Sequence, residues 1–167
     1  SLIATPAEGL SGRFVRIDKK KFGIIEGVTD REYYTNSFHV PVYHNLLAFE
    51  KISIEAPYHE LTNGGHITYI ELDGDPSKNL EAFEKIIKFM AEKGIGYGSI
   101  NHSVDYDPLC KYVGIINDEC PKCGRRETKE QPFDRIRRIT GYLVGTLERF
   151  NDAKRKEVSE RVKHFHS

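Results

Sequence analysis

The chain has 167 residues, 25 basic and 25 acidic side chains and 38% hydrophobic residues, the length of one ordinary domain. A mean hydropathy of -0.53 and the lack of any apolar run near the roughly 18 residues of a bilayer crossing exclude a membrane span, and no signal-peptide pattern opens the chain. Nine Tyr and nine Phe supply apolar surface for a core, zero net charge argues against bulk attraction to nucleic acid, and three cysteines cannot close a disulfide framework. A cytoplasmic setting is expected.

The opening, Ser1 to Gly12, is a short apolar stretch running into Thr, Pro and Gly, as at the end of a strand entering a loop. It has neither an initiator Met nor a polar tail, so the chain is expected to be the C-terminal portion of something longer. Tyr33 to Val42 (YYTNSFHVPV) reads as a strand or a close-fitting loop, and Pro41 bars a regular central strand. Leu46 to Ile54 can begin a helix. The turn Asn63-Gly64-Gly65 predicts a following strand over Ile67 to Leu72. Leu80, Phe83, Ile86, Ile87 and Met90 form one apolar face of a helix over Ser77 to Lys93, with Asp75-Pro76 at its start and Gly94 as its stop. A second strand over Ile95 to Ile100 then completes a βαβ unit.

From Asn101 to Arg126 the composition shifts to Cys, Gly, Asp and Pro, a segment that needs a staple in place of a core. Charge turns asymmetric after it: Gly124 to Lys163 holds 12 basic against 7 acidic residues, leaving 13 against 18 elsewhere. Glu148 to His164 reads as a solvated terminal helix with Val158 and Val162 on one side, and the ending KHFHS, with His164 and His166, as a frayed end.

Cys120-Pro-Lys-Cys123-Gly124 is a knuckle in which two thiolates can share one tetrahedral metal, zinc by preference. Cys110 stands where a second knuckle would end, and Asp107 occupies the place of that knuckle's first cysteine. The fourth ligand is left open between an oxygen of Asp107, a nitrogen of His102 and a weakly held metal. The bland alternative is three free thiols in a loop that has lost its metal. A thioredoxin-like pair fits poorly, because CPKCG does not follow a strand and open a helix.

Arg135-Ile-Arg-Arg-Ile-Thr-Gly141-Tyr-Leu-Val-Gly alone is a basic loop, a turn glycine and an apolar pair. Together with ATPAEG, YTNSFHVPV, NGGHITYIEL, YGSINHSVD and CPKCG, in that order over most of the chain, it resembles the C-terminal glycyl-radical segment of the anaerobic, class III ribonucleotide reductases. The resemblance implies an α/β fold, the C-terminal segment of a glycyl-radical-enzyme α/β barrel with a small zinc-knuckle module and a glycyl-radical loop. The implied divisions are 1–100 for the barrel part, 101–126 for the cysteine module and 127–167 for the radical loop and terminal helix.

The resemblance further implies that Gly141 stores an unpaired electron, since a planar Cα radical tolerates no Cβ. A radical S-adenosylmethionine activase would install it, and the whole enzyme, a homodimer, would reduce ribonucleoside triphosphates. The thiyl cysteine would lie outside this segment, which alone would be inactive. Zinc would sit on Cys110, Cys120, Cys123 and Asp107, stapling the base of the radical module. Thr5, Ala7, Glu8 and Gly9 match the family's loop that meets the nucleotide phosphates, a loop entering a helix; a plain strand-to-helix turn is the duller account. Tyr34, Thr35, Asn36, Ser37 and His39 either pack near the glycyl loop or are hydrogen-bonded core groups. His44, His59 and His66 look scattered and structural. Arg135, Arg137 and Arg138 either hold the loop to acidic groups, dock the activase, or are solvated. Two other readings stand beside this one: a glycyl-radical enzyme of the pyruvate formate-lyase type, and a non-catalytic zinc-ribbon module whose basic tail meets nucleic acid.

Overall fold

The computed structural model describes residues 1–4, 9–35, 38–139, 142–144 and 150–164. Helix α1 (Ser11–Phe22) follows the opening segment, whose Ile3 bridges Gly65. Helix α2 (Ala48–Leu61) leads through the Asn63-Gly64-Gly65 turn into strand β1 (Thr68–Glu71). Helix α3 (Leu80–Glu92) and strand β2 (Gly98–Asn101) complete the expected βαβ unit, with β1 and β2 parallel in the register Thr68↔Gly98 to Glu71↔Asn101. Ala48 and Ile52 of α2, Ile70 of β1 and Ile86 and Met90 of α3 form the core of this unit. Full burial of Ile52 and Ile70 contributes about 1.5–3 kcal/mol each.

Helix α3 starts later than its apolar pattern suggests. Asp75 Oδ1 accepts from the Ser77 amide and caps only a 3-10 turn, Pro76–Lys78, whereas Asn79 Oδ1 accepts from the Ala82 amide and caps the helix itself. Gly94, at φ +74°, ends it as expected. Of the apolar face only Ile86 and Met90 are buried; Leu80 and Ile87 remain 66% and 45% exposed. A two-stranded sheet is too narrow to cover the whole stripe. Among the described residues no closed barrel forms.

Strands β3 (Val104–Asp107), β4 (Tyr112–Gly114), β5 (Asp134–Ile139) and β6 (Tyr142–Val144) form an antiparallel sheet in the order β4-β3-β5-β6. The turn between β3 and β4 carries Cys110, and β5 carries the arginine segment. A second small core of Ile116, Cys120 and Phe133, with Cys110 and Tyr112 against it, lies beneath.

Of the two readings of Tyr33 to Val42, its described residues take the loop, and the Val40 amide bonds Glu55 Oε1 in place of a ladder partner. Two expectations for the C-terminal part are corrected. The terminal helix α4 (Asp152–Glu160) is not a solvated one: Lys154 and Glu157 are buried and paired at 2.6 Å. Beyond it the chain runs extended into the body, where the Val162 amide bonds the Val42 carbonyl. His164, expected to fray, is buried: its amide donates to the Glu71 carbonyl at 2.8 Å and its Nδ1 accepts from the Glu71 amide at 2.9 Å. The free edge of β1 explains this docking, since an unpaired strand edge offers backbone groups that need partners.

Candidate metal centre and radical segment

The segments DPLCK and CPKCG fold as two equivalent knuckles. Each turns back through its fifth residue in the left-handed region, Lys111 at φ 59° and Gly124 at φ 73°. The Lys111 amide bonds the Asp107 carbonyl at 2.8 Å, and the Gly124 amide bonds the Cys120 carbonyl at 2.9 Å. Asp107 therefore stands in the first knuckle where Cys120 stands in the second.

The two knuckles bring one carboxylate oxygen and three sulfurs within 4.8 Å of one another. Cys110 Sγ and Cys123 Sγ each donate to Asp107 Oδ2 at 3.3 Å, and Cys110 Sγ lies 3.5 Å from Cys120 Sγ. A cation bonded at about 2.3 Å to sulfur and about 2.0 Å to oxygen has tetrahedral edges of roughly 3.5–3.8 Å. The donor set fits such an ion. His102, the alternative nitrogen donor, is outside the cluster, with Nδ1 near the Ser103 carbonyl.

Asp107 is fully buried and its charge is held in place by Arg125, which the sequence reading overlooked. Arg125 Nε donates to Oδ1 at 2.8 Å and Oδ2 at 2.9 Å, and the Leu109 amide donates to Oδ1 at 2.9 Å. The Arg125 guanidinium holds the Asp107 carboxyl well below the usual carboxylate range. Arg125 also stacks over Phe133 at 4.2 Å, which ties the pair to the small core. Its place directly after CPKCG was the signal: a carboxylate substituted into a buried ligand position needs a nearby cation.

The thiols differ. Burial, then the hydrogen bond with Cys120, pushes Cys110 up to about 12. Burial alone would raise Cys120 as well, but amides of Cys123 and Lys122 donate to its sulfur and bring it below an ordinary thiol. Cation binding here would displace protons, above all from Cys110.

The arginine strand is fixed to acidic groups. Arg137 reaches Asp105 at 2.7 Å, and Arg135 reaches Glu127 at 2.9 Å and the Ile116 carbonyl at 2.7 Å. Strands β5 and β6 pair with Ile139 opposite Tyr142. Gly141 itself lies outside the described residues, as do Thr5, Ala7, Glu8, Asn36, Ser37 and His166. Gly9 sits in an exposed turn just before α1, in keeping with a loop that enters a helix. Tyr34 donates from its hydroxyl to Asp18 at 2.8 Å, while Thr35 and His39 line one cavity together with Arg138 of β5. That cavity brings Thr35 and His39 against the arginine strand. Among the described residues no helix is long and apolar enough to cross a membrane.

Comparisons with known proteins place the chain that carries this α/β frame and cysteine cluster in one family. The family model described as anaerobic ribonucleoside-triphosphate reductase matches residues 1–164. The chain is 43% identical to the anaerobic ribonucleoside-triphosphate reductase of Enterobacteria phage T4, over 98% of this chain and 27% of that protein. It is 39% identical to the enzyme of Escherichia coli strain K12, over 99% of this chain and 24% of that protein.

Among solved structures, an anaerobic ribonucleotide reductase superposes with a TM-score of 0.75 at 26% identity, covering 98% of this chain and 24% of the other. The Thermotoga maritima anaerobic ribonucleotide reductase in complex with dATP and CTP superposes with a TM-score of 0.65 at 26% identity, covering 93% and 23%. The chain belongs to the anaerobic ribonucleoside-triphosphate reductase family, and it spans about a quarter of the length of these relatives. The match favours neither the pyruvate formate-lyase type nor the zinc-ribbon module.

Proposed function

We propose that this chain is the radical-bearing portion of an anaerobic ribonucleoside-triphosphate reductase, an oxidoreductase that converts ribonucleoside triphosphates to deoxyribonucleotides. The observation that carries the reading is the family match across residues 1–164, which takes in the RITGYLVG segment. Gly141 stores the radical after a radical S-adenosylmethionine activase removes one Cα hydrogen atom. A glycine is required there because a Cβ would crowd the planar Cα. The thiyl cysteine belongs to another part of the enzyme, since all three cysteines of this chain are committed to one cluster. The segment alone is therefore inactive.

Zinc is the cation for Cys110, Cys120, Cys123 and Asp107, where it would fasten the two knuckles as a closed structural site. In this scheme residues 1–100 complete the barrel, 101–126 form the metal module and 127–167 carry the radical loop and the terminal helix. The loop of Thr5, Ala7, Glu8 and Gly9, just before α1, meets the substrate phosphates. The whole enzyme works as a cytoplasmic homodimer and binds no nucleic acid.

The deciding experiment is electron paramagnetic resonance of the intact enzyme after anaerobic treatment with its activase, S-adenosylmethionine and reductant, beside Gly141→Ala. A glycyl doublet absent from the variant is expected. No doublet from correctly folded wild-type partners would overturn the radical assignment.

A further inference from the structure

Three residues from separate segments converge at helix α2. His39 comes from the loop after Tyr33, Glu55 from the middle of α2, and His66 from the turn that enters β1. One ring nitrogen of each histidine and one oxygen of Glu55 lie within 4.8 Å of one another. His66 is only 4% exposed, and neither of its ring nitrogens has a hydrogen-bond partner. Glu55 is fully buried: Oε1 accepts from the Val40 amide at 2.8 Å and from Lys51 Nζ at 2.5 Å, whereas Oε2 has no partner. Buried polar atoms are almost always satisfied, so two such groups in one cluster call for a missing partner.

The neighbouring histidines show which groups are committed. His59 stacks on His66 with centroids 4.3 Å apart, but its Nε2 engages Thr68 Oγ1 at 2.8 Å and its Nδ1 accepts from the Gly96 amide at 3.3 Å. It is a wall of the site, not a ligand. His39 donates from Nε2 to the Ile67 carbonyl. An imidazole anchored through one N–H on a backbone carbonyl is the usual outer support of a metal-bound histidine.

The geometry points to a second cation site on His39, Glu55 and His66 that takes a divalent transition-metal ion on two imidazole nitrogens and one carboxylate oxygen. This donor set suits zinc or ferrous ion, while calcium and magnesium would want oxygen alone. The three ligands come from three separate segments, so the ion would clip the YTNSFH loop to α2 and to the entry of β1. Its donors are nitrogen and oxygen, unlike the sulfur-rich cluster, and the inference does not depend on the radical assignment.

Cobalt(II) loading of the intact enzyme, prepared anaerobically and freed of loose metal, separates the two sites. The sulfur cluster gives thiolate-to-cobalt charge transfer; the histidine site adds only visible ligand-field bands. His66→Gln and Glu55→Gln should each lose about one equivalent of cobalt and those added bands, with the charge transfer retained as proof that the knuckles still fold. Cobalt content and spectrum unchanged in both variants would overturn the site. X-ray absorption of the wild-type cobalt protein decides the matter should either variant unfold: imidazole scattering is expected, and a shell of the sulfur cluster alone would overturn the inference.

Discussion

Arg125 grips the carboxylate of Asp107 through Nε, within 2.9 Å of both oxygens, while Oδ2 of the same carboxylate receives the Cys110 and Cys123 thiols. Asp107 thus serves the guanidinium and the two thiols at once. Its outer oxygen is fixed by the guanidinium and the Leu109 amide, and its inner oxygen completes the thiol set.

That arrangement makes Arg125 the support of a ligand. Arg125→Met should weaken cation binding by about 10- to 100-fold, the usual effect of removing an outer partner of a metal ligand. Arg125→Lys should recover only part of it, because an ammonium cannot reproduce the flat two-oxygen contact. Competition against a chromophoric chelator measures both. Equal affinity in wild type and Arg125→Met would mean that Asp107 needs no support.

Lys111 occupies the left-handed position that glycine fills in the other knuckle, Lys111 at φ 59° and Gly124 at φ 73°. An L side chain is disfavoured there, so Lys111→Gly should stabilise the module by about 1 kcal/mol despite glycine's larger chain entropy. Denaturant midpoints of the two proteins compare directly. A loss of stability would show that the Lys111 side chain contributes more than its backbone strain costs.

The sequence made the local and repetitive features readable. The strand of Ile67 to Leu72, the α3 periodicity and the strand after Gly94 sufficed for the βαβ unit, and the knuckle spacing gathered Cys110, Cys120, Cys123 and Asp107. What stayed hidden depends on contacts between distant segments. Arg125 had a basic residue's ordinary look until Asp107 was found buried beside it. His164 carried no pattern at all, because its role depends on the exposed edge of β1, 93 residues earlier. Lys154 and Glu157 read as solvent-facing helix residues, and only the docking of α4 buries them. His39, Glu55 and His66 likewise lie on three segments whose convergence no spacing rule expresses.

Helix α4 is held close to α1 by a small residue on each side. A Cβ built on Gly12 would lie 2.6 Å from Ala153 Cβ and 3.4 Å from the Glu32 carbonyl oxygen. Gly12→Val should therefore push α4 outward and cost about 1–3 kcal/mol, the range for overpacking a close contact. Faster hydrogen exchange in 152–164 should accompany the loss. A variant with wild-type stability and exchange would show that the interface repacks without strain.

The docking of His164 depends on pH, with a definite sign. Burial pushes its imidazole down to about 4, and Lys51, Arg161 and Lys163 add to the effect against the opposing charge of Glu55. An undocked histidine titrates near about 6.5. Between those two values the undocked form binds more protons, so lowering the pH through this window favours undocking. A protonated Nδ1 also cannot accept from the Glu71 amide. Exchange of the Glu71 amide and of 161–164, corrected for the intrinsic rate, should rise as the pH falls from about 6.5 toward 4. His164→Asn keeps an acceptor in the side chain and has no proton to gain, so its exchange should stay flat over the same range. Parallel slopes in the two proteins would place the pH sensitivity on another group.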